Sequence, residues 1–298
     1  MISGRTSNLR ESGVAYLFLA PAFLFIVVFI AYPLVYSFYL TFTEYDFVYD
    51  SAPKWVGIKQ YVSIWRDKNF ISSLKNTLVF AVFYYAIVMF FSLIIAFIID
   101  ELGKGQTFYQ LAVYLPIIVP LSLAGVMFVW ILDPTFGVFN HILRSLGFEA
   151  LGNKNWLADY STALPAIVVI TLWKYIGFNV IIFLAGIQSV GRSVIEAARV
   201  DGVSFFQEKF LVILPNIKTH LSMASLYSIV QAIKVFEVPY VTTRGGPGTA
   251  TLTLYLYSWR TAFGYFKMGK AATIAYITAA LIIFFSFLSN KFLEEKGE

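Results

Sequence analysis

The sequence predicts an all-α polytopic membrane protein with six transmembrane helices. Of 298 residues, 59% are hydrophobic and only 13% are charged, about half the charged share of an average soluble domain. Mean hydropathy is +0.73. Apolar runs of about 20 residues, the length that crosses a bilayer, recur at residues 14–36, 78–99, 111–132, 164–187, 221–241 and 271–292. Six such helices use less than half the chain, so residues 1–298 are expected to form a single transmembrane domain with ordinary loops.

Residues 1–13 are polar, with Arg5 and Arg10 ahead of the first run. That order resembles a secretory signal, but the run is too long and no small-x-small cleavage site ends it. A retained span with its N-terminus inside is expected, bent near Pro21 and Pro33. Residues 41–77 are aromatic and polar and suit a segment lying on the outer interface. The second span ends at Asp100-Glu101. The third contains Leu115-Pro116 and Val119-Pro120, pairs that disrupt a regular helix and need neighbours to satisfy the freed backbone groups. An outer loop, 133–163, leads to the fourth span. The fifth and sixth spans flank Thr242-Thr-Arg-Gly-Gly-Pro-Gly248, a turn in any reading, since two glycines and a proline fix unusual backbone angles. Six crossings return both termini to one side. Basic residues do not decide which side, because the two sets of loops carry them about equally.

Composition also excludes functions. A net charge of +5 and a pI near 9.1 come from scattered basic residues, which argues for contact with membrane lipid and against nucleic acid. With no cysteine, thiol chemistry and disulfides are out. His141 and His220 are assigned to opposite faces and make no metal pair. The sequence has no Gly-x-x-x-x-Gly-Lys-Ser/Thr loop, so ATP hydrolysis by this chain is not expected. Asp100-Glu101 and Glu294-Glu295 read as solvated helix ends.

The polar interval 189–219 stands out against this background. Gly202 can take the positive φ that ends a helix, and Ser204 with Gln207 has the spacing of a capping box that starts another. The result is a helix, a sharp turn and a helix: a knuckle displaying small and charged groups. Glu196-Ala197-Ala198, Asp201-Gly202 and Leu214-Pro215 closely resemble the coupling loop of binding-protein-dependent ABC importers. Other residues extend the resemblance. Ala20-Pro21 and Tyr32-Pro33 are similar to the first span of sugar-type permeases, and Asn76-Thr77, at the end of the interfacial segment, to an Asn-Thr that the family often has there. Phe108-Tyr109, Leu115-Pro116, Pro120, Trp130, Asp133-Pro134, Gly137 and Asn140 match the family around the third. Gln110 departs from the family's usual arginine.

The resemblance implies a type I ABC importer permease fold of the carbohydrate-uptake branch, with residues 189–219 as a cytoplasmic coupling loop. Glu196, Ala197, Ala198, Asp201, Gly202, Ser204, Leu214 and Pro215 would then meet one of two ATPase subunits, with ATP and Mg used there and no cofactor held by this chain. It also implies a second homologous permease, an extracytoplasmic solute-binding protein near Thr243, Gly245, Gly246 and Pro247, and an inner-membrane location with both termini cytoplasmic. Ionisable or polar residues at membrane depth are candidates for the path: Lys174, Tyr175 and Asn179 in the fourth span, and Tyr227, Ser228, Gln231, Lys234 and Glu237 in the fifth. On a regular helix at about 100° per residue, Tyr227, Gln231 and Lys234 share one stripe. The bland alternatives are a Lys234–Glu237 pair at i, i+3 and a Lys174 that snorkels to the interface. The expected solute is an oligosaccharide. Glycerol-3-phosphate or another polyol is the alternative, and a self-contained secondary transporter is the competing class.

Overall fold

The computed structural model describes residues 16, 18–103 and 105–294; Arg5, Arg10, Lys104 and Lys296 lie outside them. Five helices are long and apolar enough to cross a membrane: α1 (Phe18–Leu40), α2 (Lys68–Glu101), α5 (Ala163–Ser189), the segment Lys218–Thr242 and α11 (Met268–Glu294). A sixth apolar segment is the pair Gln106–Ile118 and Leu121–Ile131, bent by 96°. It contains α3 (Gln106–Tyr114), one 3-10 turn and α4 (Leu121–Ile131).

The expected boundaries shift in ways the local chemistry explains. Helix α2 starts ten residues before the apolar run, because Asp67 caps it by accepting from the backbone N–H of Asn69 and Phe70 at 2.8 and 3.3 Å. Asn76 and Thr77 therefore sit inside a helix rather than in an interfacial loop. In α1 the bend is a π-turn, Val27–Ala31, which opens the ladder just before Pro33. The third span breaks at Val119-Pro120, as the prolines predict. The fifth breaks as well, into α8 (Lys218–Ile233) and α9 (Glu237–Thr242), with Lys234 and Phe236 out of helical geometry.

Helix α2 lies along α5, and α8 runs between α2 and α11. One core cluster, with Phe97, Phe183, Ile187, Ile213 and Ile217, fills the end of the bundle near the knuckle. A second around Phe80, Tyr84, Ile167 and Val238 occupies the middle, and a third around Ile64, Phe70, Leu254 and Tyr257 the far end. Close helix approaches rely on glycine. A Cβ on Gly177 of α5 would stand 2.1 Å from the Val113 carbonyl oxygen, and one on Gly125 of α4 2.3 Å from the Val241 side chain. Helix α1 stays peripheral: none of its apolar window is buried, and it joins α11 through Tyr276, whose hydroxyl donates to the Leu34 carbonyl at 2.6 Å.

At the far end the 41–67 segment forms a two-stranded hairpin, β1 (Thr43–Glu44) and β2 (Lys54–Trp55), followed by a short helix. The chain after α9 folds back through α10 (Leu254–Trp259). Asp67 closes this end. Beyond its capping role it accepts from the Tyr257 hydroxyl and the Lys270 ammonium, joining α2, α10 and α11. Burial raises its pKa, but the hydrogen bonds from Lys270 and Tyr257 outweigh burial and hold the carboxyl below the ordinary carboxylate range. A depressed folded-state pKa gives stabilisation that is present above the unfolded pKa and is lost as pH falls through the folded one. Asp67→Asn keeps a capping side chain but loses the charge, and is expected to lower stability by about 1–3 kcal/mol at neutral pH. Thermal melts in detergent between neutral and acidic pH should show the gap between variant and parent closing as pH falls; a constant gap would remove this account.

Candidate coupling and translocation site

The knuckle is built as its sequence dictates. Helix α6 (Arg192–Val200) ends on Gly202, whose φ is +82°. The Gly202 N–H donates to the Arg199 carbonyl at 3.1 Å and the Val203 N–H to the Ala198 carbonyl at 3.3 Å, the paired bonds of a Schellman turn. Ser204 then starts α7 (205–216) with a complete capping box. Its N–H donates to Gln207 Oε1 at 2.8 Å, and its Oγ accepts from the Gln207 N–H at 3.4 Å. A Cβ at Gly202 would meet nothing within 4 Å. The glycine is thus required by backbone conformation alone.

Glu196, Ala197, Asp201, Gly202 and Ser204 are exposed, and Ala198 is half-buried. Val200, absent from the sequence-level list, is 87% exposed, and Phe206 is 69% exposed, so the knuckle presents apolar as well as acidic groups. Leu214 and Pro215 stand apart from this surface at the base of α7. They follow a π-turn, Glu208–Ile213, that repeats the π-then-proline arrangement of α1. Their part is to shape the return of the chain into α8.

Under the knuckle lies a charge cluster that the sequence did not reveal. Arg199 grips Glu208 with two bonds, Nε to Oε2 at 2.5 Å and Nη2 to Oε1 at 3.0 Å. Lys209 donates to Glu208 at 3.3 Å and to the carboxylate of Glu101 at the end of α2. The Lys209 ammonium also stands 5.1 Å from the Phe205 ring centre and 5.8 Å from that of Phe97. Hydrogen bonding from Arg199 holds the Glu208 carboxyl below its ordinary pKa; burial opposes this and Lys209 reinforces it. Glu101 is therefore one end of an inter-helix bridge, not merely a solvated terminus. Glu196 makes no ion pair among the described residues.

The intramembrane candidates divide into four groups. Lys174 neither snorkels nor joins a polar stripe. Its ammonium donates to the carbonyls of Ile117, at 2.8 Å, and Val119, capping the groups freed at the proline break of α3 and α4. Asn179 and Ser228 are fully buried against each other, with Ser228 Oγ donating to Asn179 Oδ1 at 3.1 Å, a clamp between α5 and α8. Tyr175, Tyr227 and Gln231 form a half-buried cluster. Gln231 Nε2 donates to the Tyr227 hydroxyl at 2.9 Å, and the two tyrosine rings meet edge to face with centres 6.1 Å apart. Lys234 closes the last turn of α8, its N–H donating to the Val230 carbonyl at 3.1 Å, and Glu237 lies past the break; both are exposed, whereas Tyr227 and Gln231 are half-buried. No ion pair joins these two among the described residues. The signal for this break is in the sequence: Pro239 has no N–H to give the Val235 carbonyl, which instead accepts from Thr253 Oγ1 at 2.8 Å.

At the far end Gly245 is buried with φ +83°, and Gly246-Pro247 is a cis bond. Thr243 Oγ1 lies 2.6 Å from Thr251 Oγ1, which donates to the Gly246 carbonyl at 2.8 Å. The turn is thus self-satisfied. Thr243, Gly246 and Pro247 line an open cleft of about 370 Å³ with Asp133, Pro134 and Asn155.

Replacing Lys174 by Met should leave the Ile117 and Val119 carbonyls without donors in an apolar setting, at a cost of about 2–3 kcal/mol. Lys174→Arg should recover most of that loss. Melting temperatures of the purified variants check this, and an unshifted Lys174→Met would mean the break is held by other contacts.

Comparison with known proteins places this geometry. Residues 103–296 match the family model described as binding-protein-dependent transport system inner membrane component. A sulfoquinovosyl glycerol transport system permease protein of Agrobacterium fabrum is 30% identical over 93% of this chain and 89% of its own. A trehalose/maltose transport system permease protein of Thermococcus litoralis is 29% identical over 98% of both chains. Among solved structures, a chain of a bacterial alginate ABC transporter bound to its periplasmic protein superposes with a TM-score of 0.85 over 98% of each chain, at 21% identity. The chain accordingly belongs to the binding-protein-dependent transport system inner membrane components, the permease subunits of ABC importers.

Proposed function

We propose that this subunit pairs with a second, related permease to enclose the path of a carbohydrate that an extracytoplasmic binding protein delivers, and that two ATPase subunits drive the cycle. The observation that carries the coupling role is the knuckle itself: a Schellman turn joined directly to a capping box, exposing Glu196, Ala197, Val200 and Asp201 on a rigid base. Glu196 has no ion-pair partner among the described residues, which suits its carboxylate to a basic group on the ATPase. ATP and Mg belong to those partner subunits. ATP binding closes the ATPase pair, the two coupling loops move together, and the path opens outward; hydrolysis resets it.

On this reading residues 189–219 and both termini are cytoplasmic, and the cleft beside Thr243, Gly246 and Pro247 faces the binding protein. A carbohydrate is supported by the solutes named for the Agrobacterium and Thermococcus relatives. The cluster of Tyr175, Tyr227 and Gln231 supports it too, since aromatic faces stack on sugar rings while an amide and phenols bond hydroxyls.

Three variants test the coupling role. Gly202→Asp places a charged side chain in open space on the docking face, and membrane levels should be unchanged while uptake is abolished. Gly202→Ala adds only backbone strain of about 1–2 kcal/mol and should retain measurable uptake. Glu196→Arg should lose the ATPase from a mild-detergent pull-down that still recovers the second permease. Normal uptake by Gly202→Asp, or an ATPase that stays with Glu196→Arg, would remove the assignment.

A further inference from the structure

Helix α6 is covalently continuous with α5 through Val190 and Gly191 alone, so a push on the knuckle would be expected to act on α5. The charge cluster adds a second route. Lys209, whose side chain is 3% exposed, bonds Glu208 inside the loop and Glu101 at the end of α2, a helix 108 positions away in sequence. Glu208 in turn is held from the other side by Arg199 of α6. The chain Arg199, Glu208, Lys209, Glu101 thus runs without a gap from the displayed helix to a membrane helix that α6 does not adjoin in sequence.

Stability alone is a poor reason for this arrangement. Burying an ammonium and a carboxylate costs desolvation that their attraction repays only in part, and an apolar pair of similar size is often as stable. The surroundings would accept one: Phe97 and Phe205 flank Lys209, and a cleft lined by Phe90, Ile94, Phe206 and Phe210 adjoins it. What an ion pair gives that apolar packing does not is a fixed geometry between two elements, since apolar side chains can slide over one another while a bonded ammonium cannot.

We propose that Lys209 is a positioning residue for transport: it locks the coupling loop to α2, so that displacement of the knuckle is delivered to α2 as well as α5. The inference rests on the coupling role of residues 189–219. The loss should appear in coupling rather than in assembly.

The assembled importer, in proteoliposomes with its binding protein, is the system for the test, using Glu101→Gln, Lys209→Met and the conservative Lys209→Arg. Glu101, at 44% side-chain exposure, tolerates the neutral amide without a packing defect, which keeps one variant free of folding effects. Expected for Glu101→Gln are unchanged melting temperature, normal recovery of the ATPase and second permease, and basal ATP hydrolysis close to the parent; Lys209→Met, which takes from the buried Glu208 one of its two cations, should melt lower. Solute imported per ATP hydrolysed should fall about fivefold or more in both. Lys209→Arg, which keeps a charged donor between Glu208 and Glu101, should restore much of that ratio.

A normal ratio in Glu101→Gln with ATPase recovery intact overturns the proposal, as does a ratio in Lys209→Arg as low as in Lys209→Met. The control is Glu196→Arg measured alongside. If that variant keeps its ATPase, the coupling assignment itself has failed; if it loses the ATPase while Glu101→Gln transports normally, only the role of Lys209 has.

Discussion

Each interruption of a helix inside a bilayer frees backbone carbonyls that no water can satisfy, and this constraint governs the bundle. The α3–α4 break is affordable because the Lys174 ammonium reaches two carbonyls from α5. The α8–α9 break is matched by Thr253, which takes the place of the donor missing at Pro239. At the far end Asn76 Nδ2 donates to the carbonyls of Thr249 and Leu252 at 2.6 and 3.0 Å, and Thr77 Oγ1 accepts from the Leu254 N–H at 2.9 Å. Polar side chains of neighbouring segments thus satisfy the irregular backbone beside them.

This changes the meaning of polarity in the sequence. An intramembrane lysine is a functional candidate by default, yet here it is a cap, and the buried Asn179–Ser228 pair is an inter-helix clamp. Tyr175, Tyr227 and Gln231 remain half-buried, and on the function proposed above they are the smaller set offered to a solute. Polarity marks places where backbone or helix pairs need support, and only the residue left after those needs are met points to the path.

How much was legible in the chain follows from the range of the interactions. The knuckle could be read almost bond for bond, since its turn and capping box depend on Gly202, Ser204 and Gln207 within a few positions. The third-span break was equally plain from its prolines. The bridge from Lys209 to Glu101 spans 108 positions, and nothing local distinguishes Glu101 from an ordinary solvated helix end. The early start of α2 was hidden by its polar first turns, although Asp67 was present as a cap. The fifth-span break had its signal in Pro239, but an apolar run reads as one helix unless the missing N–H is followed to the carbonyl it leaves vacant.

The Asp67 junction also bears on biosynthesis. It joins residues 67, 257 and 270, so the far end cannot close until nearly the whole polypeptide has left the ribosome. Helix α8, packed between α2 and α11, likewise lacks one of its walls until the last span arrives. Early spans must therefore wait in the membrane as a loose set. A truncation that removes only the final helix would leave a chain that inserts but has no finished far end, a natural substrate for membrane quality control.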